Sequence, residues 1–295
     1  MTQQEYSGQD TKARLANVER PTLLVGCVDS LDTPLPHEMA SESQVFLLLG
    51  ASRGVGYKVA QFLINAPAQH KVILTSRSTA PLEELKSVAP DRVDYSAGDL
   101  SDPSIIKKAV DLAISKFGRL DGLILNHGTL GQVKRISDLE IQDWQDCFQT
   151  NFFSAAIAAK HAIPELRKTH GRIIITSSGA ASNGYTGWGV YGATKAAQNH
   201  LALTLKAEEP NITTVAIRPG IVDTDMQKAI REEHKDNMDP EDMKKFMGAY
   251  EEGKLVKPEE CGHVIAELAV YATSDLSGKF MAWNDEALAE YQLKR

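Results

Sequence analysis

The chain has 295 residues, 42% hydrophobic and 24% charged, with a formal net charge of −7. That apolar share excludes a disordered chain, a collagen-like fibre and a coiled coil, and it suffices for a core without staples. The acidic balance, with no cluster of Lys and Arg, speaks against nucleic acid as a partner.

Cys27, Cys147 and Cys261 lie far apart and form no CxxC pair or disulfide framework, which suits a reducing compartment. No apolar run approaches the roughly 20 residues that span a bilayer. The opening residues, MTQQEYSGQDTKAR, lack the charged-then-apolar order of a secretory signal. The expectation is a cytoplasmic protein with no membrane partner. His161, His170, His200 and His263 show no paired metal spacing, so no metal is expected.

Residues 1–38 are polar and contain Pro21, Pro34 and Pro36. They are expected to be an N-terminal extension, mostly irregular. Residues 39–295 are expected to form one domain. Residues 45–50, VFLLLG, are a continuous apolar run, the mark of a strand buried on both faces. Val59, Phe62, Leu63 and Ala66 then fall on one helical stripe. Residues 71–76 read as a second buried strand, followed by a short helix near 81–88. The run RVDYSAGDL follows, and Asp102 with Pro103 reads as an N-cap with proline at the first helical position.

Ile105, Ile106, Ala109, Leu112, Ala113 and Phe117 are spaced for a core-facing helix. Residues 121–126 predict a fourth strand and 141–166 one long helix. Residues 171–178 predict a fifth strand, 191–207 a helix and 212–220 a sixth strand. A helix near 259–271 and a seventh strand within 277–283 close the series. Trp144, in the long helix, reads as core. Strand and helix alternate, which predicts an α/β fold of Rossmann type. It is a doubly wound parallel sheet of about seven strands with helices on both faces. Residues 224–253 break the rhythm. They are charged and helical, too polar for core, and read as a lid over the site.

Gly50, Ser52, Arg53, Gly54, Val55 and Gly56 sit between the first strand and the first helix. Glycines there allow a tight turn and let backbone N–H groups approach a phosphate at a helix N-terminus. Tyr191 and Lys195, at i and i+4, share one helical face. A free phenol titrates near 10, and a cation within about 4–6 Å lowers such a value. Ser177 and Ser178 end the fifth strand, on the side where parallel sheets bind ligands. A small-molecule site is therefore expected where these three segments meet.

These motifs, with Asp99-Leu100, Asn126-x-Gly128, Asn151 and Pro219-Gly220 with Thr224, make the sequence similar to the short-chain dehydrogenase/reductase superfamily. The resemblance covers residues 42–285. Within it, GRIIITSSGAA, IRPGIVDTDMQ and SGKFMAWND resemble sepiapterin-reductase-like and fungal benzil-reductase-like carbonyl reductases.

The resemblance implies that Tyr191 gives a proton to a carbonyl oxygen held by Ser178. It implies that Lys195 lowers the phenol pKa and binds the nicotinamide ribose. Asn151 would help to place Lys195 and a water for proton relay. Asp99, Leu100 and Asn126 would border the adenosine, and Pro219, Gly220, Val222 and Thr224 the nicotinamide. The two helices at 141–169 and 190–207 would form the interface of a homodimer or homotetramer. Two positions depart from the family pattern. Leu49 stands where a Thr is usual, and His127 where an Ala is usual.

An acidic residue after the second strand would bind the ribose 2′-OH of NAD. This chain has Arg77 there, and Arg53 in the Gly loop. Both suit a 2′-phosphate, which arginine reads with two parallel hydrogen bonds. The expected cofactor is NADP(H). The expected activity is the reversible reduction of a ketone or diketone to an alcohol by Ser178, Tyr191 and Lys195. The lid methionines Met226 and Met247, with Trp188, suggest an apolar or aromatic substrate. The alternative is a catalytically idle cofactor sensor or scaffold on the same fold.

Overall fold

The computed structural model describes residues 42–294, which fall within one compact unit. The extension expected at 1–38, with Cys27, lies outside the described residues. The seven strands are β1 (Val45–Leu49), β2 (Lys71–Ser76), β3 (Val93–Ala97), β4 (Gly122–Leu125), β5 (Arg172–Thr176), β6 (Thr213–Arg218) and β7 (Phe280–Ala282). All pair in parallel, in the order β3-β2-β1-β4-β5-β6-β7.

The helices that link them are α1 (Gly54–Asn65), α2 (Ala80–Val88), α3 (Pro103–Phe117), α4 (Ile141–Phe148), α5 (Ser154–Thr169), α6 (Gly189–Glu208), α7 (Asp225–Glu232), α8 (Pro240–Glu251) and α9 (Pro258–Tyr271). None is long and apolar enough to cross a membrane.

Strand alternation divides the core in two. Phe46, Leu48, Leu74, Ile124, Ile174, Val215 and Ile217 pack on one face, against Val59, Leu63 and Ile265 of α1 and α9. Leu47, Leu49, Ile73, Leu123, Leu125, Ile173 and Ile175 pack on the other, against α3, α5 and α6. The central strands β1 and β4 are buried at every position because both faces are covered, which is why their apolar runs are continuous, whereas the edge strand β3 is buried only at Val93. Asp102 caps α3 as expected, its side chain accepting from Ser104 N at 2.8 Å.

Three expectations need correction. The helix expected over 141–166 is broken by a π-helical turn, Gln149–Phe153, between α4 and α5. Trp144 is half-buried rather than core, and stacks on Phe148 along the surface of α4 at 6.4 Å. The 224–253 segment forms α7 and α8, as its helical character suggested. Yet Gln227, Ile230, Met238, Met243 and Phe246 in it are buried. Four of them join a third apolar cluster with Leu130, Val133, Ala180, Trp188 and Tyr191. Charged residues take the outer face, while the inner face packs into that shared cluster.

Candidate active site

The strand order reverses at β1. Its neighbours β2 and β4 lead in opposite directions, and the crevice beyond their carboxyl ends is where such sheets bind ligands. There the structure has a cavity of about 1390 Å³. Its walls include Gly50, Ser52, Arg53, Gly54 and Val55, then Arg77, Asp99, Leu100 and Asn126. They continue through Ser178, Tyr191 and Lys195 to Pro219, Gly220, Val222 and Thr224. Of the expected site residues only Gly56 and Asn151 stand behind the wall.

The Gly loop is built for close approach. Gly50 N and Ala51 N both donate to Thr75 O, at 2.9 and 3.1 Å, so the turn is held by β2 and does not need a hydroxyl at Leu49. Gly50 has φ +89°, and a Cβ there would stand 2.8 Å from the His127 backbone. A Cβ on Gly56 would stand 1.9 Å from the Gly50 carbonyl. No side chain caps α1, whose first residues Gly54 and Val55 face the cavity. Bare amides at a helix N-terminus, with no Cβ in the way, fit a pyrophosphate.

Asn126 ties the loop together. Its Nδ2 donates to Gly50 O at 3.0 Å and its Oδ1 accepts from Thr176 Oγ1 at 3.1 Å. Asp99 accepts from Ser101 N at 2.9 Å, which holds its carboxyl below the usual range. Thr224 caps α7. Arg77 has no hydrogen-bonded carboxylate among the described residues. Arg53 pairs with Asp225 at 3.0 Å, but both side chains are about 70% exposed, so solvent screens the pair and it holds the guanidinium only weakly.

At the substrate end, Ser178 caps a short turn, its Oγ accepting from Ala180 N at 3.2 Å, and its hydroxyl stands close enough to the Tyr191 phenol to pull its pKa down. Burial pushes the Tyr191 phenol up to about 12, against the pull of Ser178. Lys195 is buried and donates to Thr176 O at 2.8 Å. Burial brings its ammonium down to about 8. Tyr185, Trp188 and Phe246 form an aromatic wall with ring centroids 5.1 to 5.6 Å apart. Trp188 stands perpendicular to Tyr191 at 5.6 Å.

Asn151 is fully buried. Its side chain accepts from Thr129 N at 2.8 Å and donates to Thr129 O and Thr194 Oγ1. Its own carbonyl accepts from Gln198 Nε2 at 2.6 Å, and Gln198 Oε1 accepts from Lys195 Nζ at 3.0 Å. Asn151 and Lys195 are thus linked through the Gln198 side chain.

His127 is buried, with Nε2 2.6 Å from Ser154 Oγ. Ser154 Oγ donates to Thr150 O, so Nε2 is the donor to the hydroxyl. Burial, helped by the Lys195 charge, takes this imidazole down to about 3, and it stays neutral. It is packing for the loop. Tyr185, Phe246 and Gln198 were not singled out in the sequence. An aromatic three residues before Trp188 was the available signal for Tyr185; Gln198 had none. Among the described residues no group of three His, Cys, Asp or Glu could hold a metal.

Residues 44–235 match the short chain dehydrogenase family. The chain is 37% identical to the uncharacterized oxidoreductase YIR035C of Saccharomyces cerevisiae, over 84% of this chain and 98% of that protein. The crystal structure of YIR035C superposes with a TM-score of 0.83, covering 85% of this chain and all of that one. The chain is also 35% identical to the benzil reductase ((S)-benzoin forming) IRC24 of the same yeast, over 84% of this chain and 99% of that protein. At 26% identity, the structure of L-sorbose reductase from Gluconobacter frateurii with NADPH and L-sorbose aligns at a TM-score of 0.70, over 82% of this chain and 95% of that one. With a parallel seven-stranded sheet and these matches, the chain belongs to the short-chain dehydrogenase/reductase superfamily and is an oxidoreductase by family.

Proposed function

We propose that this chain is an NADPH-dependent carbonyl reductase for ketones or diketones that carry an aromatic group. The observation that carries the reading is the convergence of Ser178, Tyr191 and Lys195 in one cavity beside the Tyr185–Trp188–Phe246 wall. The benzil reductase relative acts on a diaryl diketone by its name, and L-sorbose reductase was crystallised with NADPH.

When bound at this site, NADPH would supply the hydride for reduction of the carbonyl. The Gly50–Gly56 loop would hold the pyrophosphate, and Arg77 with Arg53 the 2′-phosphate. The chain does the rest. The Ser178 hydroxyl holds the carbonyl oxygen and stabilises charge that develops on it. Tyr191 donates its proton to that oxygen. Lys195 places a positive charge near the phenol and so eases the loss of that proton. The aromatic wall binds the flat end of the substrate, and Trp188 turns its edge or face toward Tyr191. The lid of α7 and α8 keeps water from the site.

The protein is further proposed to be cytoplasmic, consistent with Cys147 and Cys261 as free buried thiols. It is proposed to assemble as a homodimer or homotetramer. The test of activity is NADPH consumption with purified chain and a panel of aryl diketones, aryl ketones and aliphatic ketones. Aryl diketones should turn over fastest, and no NADPH consumption with any member of the panel would sink the reading.

A further inference from the structure

Lys195 carries a buried charge without a carboxylate partner among the described residues. The titratable groups that face it are Tyr191 on its own helix, Cys147 on α4 and His127 after β4. None of these is an anion at neutral pH, since burial raises the phenol and the thiol and keeps the imidazole neutral. A desolvated ammonium then depends on neutral acceptors. It has two within the protein, Thr176 O at 2.8 Å and Gln198 Oε1 at 3.0 Å.

Gln198 is itself fully buried. Its amide nitrogen is fixed by the Asn151 carbonyl at 2.6 Å, and this aims its oxygen at the ammonium. Asn151 in turn is anchored to Thr129 and Thr194 at the π-helical turn. An ammonium has three donors. Thr176 and Gln198 take two, which leaves one for the cavity.

We propose that Gln198 is a positioning residue of the reductase site: its carboxamide bridges the Asn151 carbonyl and the Lys195 ammonium and holds that ammonium in place and charged. The bridge joins the Asn151 carbonyl to the Lys195 ammonium. Asparagine is one carbon shorter and cannot span both partners. Glutamate keeps an acceptor, loses the donor to Asn151 and adds a negative charge. Leucine fills similar space and bonds to neither. The role rests on reading Lys195 as part of a reductase site, but the contact itself can be tested without turnover.

The experiment is an NMR pH titration of the chain labelled with ¹³C at lysine Cε, the Lys195 signal being the one lost in Lys195→Arg. Gln198→Leu should lower the Lys195 midpoint by about one pH unit, and Gln198→Glu should raise it by about one or more. The high-pH limb of kcat for reduction should move in the same two directions, with less effect on KM for NADPH. A side chain that merely fills space would not give shifts of opposite sign. Should the leucine variant fail to fold, Gln198→Met, of similar length, takes its place. A Lys195 midpoint that is unchanged in both variants, or moves the same way in both, overturns the proposal. Loss of the reductase reading would instead show as a wild-type chain that titrates as described yet consumes no NADPH.

Discussion

Lys195 Nζ lies 5.9 Å from the centroid of the Tyr191 ring, one turn along α6. The ammonium is thus close enough to act on the phenol through a medium from which both are shielded from water. Tyr191→Phe removes the acid and little else, since the ring stays in the wall beside Trp188. Turnover should fall by about 10²–10⁴-fold, the usual contribution of a general acid, while NADPH still binds. Single-turnover kinetics with NADPH fluorescence as the binding readout would check this, and a phenylalanine variant with full turnover would overturn the mechanism.

The two groups also set a pH dependence. The proposed reduction requires the phenol protonated and the ammonium charged. Tyr191 sits at about 12 and holds its proton throughout the working range. Lys195 sits at about 8, so it is the group that titrates first. As pH rises through about 8 the ammonium loses its charge, and kcat for carbonyl reduction should fall. A pH–rate profile that stays flat from pH 7 to pH 10 would contradict this assignment.

The Gly loop offers a test of shape. In Gly56→Ala the new Cβ meets the Gly50 carbonyl and Asn126 Nδ2, at 1.9 and 2.5 Å. Both belong to fixed backbone or to a bonded amide, so neither can yield cheaply. The loop must shift, at a cost of about 1–3 kcal/mol typical of overpacking. Thermal unfolding should start earlier, and NADPH affinity should drop more than the loss of stability alone would explain, because the shifted amides no longer converge.

Much of this architecture was legible in the chain. Continuous apolar runs such as VFLLLG and the Asp102-Pro103 start marked buried strands and a helix N-terminus, and both signals are local. The Gly loop, Ser178, Tyr191 and Lys195 were legible because their spacing follows from strand–turn–helix geometry. What stayed hidden depends on distant partners. The π-helical turn at 149–153 contains no Gly or Pro; Asn151 there is anchored to Thr129 and Thr194, far along the chain. Gln198 lies three residues after Lys195 on α6, but its contact with Asn151 forms only when the π-helical turn is folded against that helix. The lid looked too polar for core because charges on its outer face mask the buried Ile230, Met243 and Phe246.

The proposed preference for NADPH rests on Arg77 and Arg53. Arg77 lines the cavity without a bonded carboxylate, whereas Arg53 is paired with Asp225 at an exposed position. Arg77→Ala should therefore raise KM for NADPH more than Arg53→Ala. Each lost charge-assisted contact is worth roughly 1.5–3 kcal/mol, or about 10- to 150-fold in affinity. KM for NADH should scarcely change, since that cofactor lacks the 2′-phosphate. A preference for NADH in the wild-type chain, or equal losses for both cofactors in the variants, would refute the assignment.

Association can be tested on the helices expected to carry it. Phe153, at the π-helical turn before α5, is 45% exposed, and Leu203 on α6 is 53% exposed. Phe148, Phe152 and Phe153 touch one another in a half-buried aromatic row on the same stretch of chain. Large apolar groups left open on two neighbouring helices are what a subunit interface would cover. Phe153→Glu with Leu203→Glu would place unpaired charges in that interface, which costs several kcal/mol per buried charge. Light scattering should then report a monomer for the variant and a dimer or tetramer for the wild-type chain if the proposed assembly forms. If the variant keeps the wild-type mass, the interface lies elsewhere.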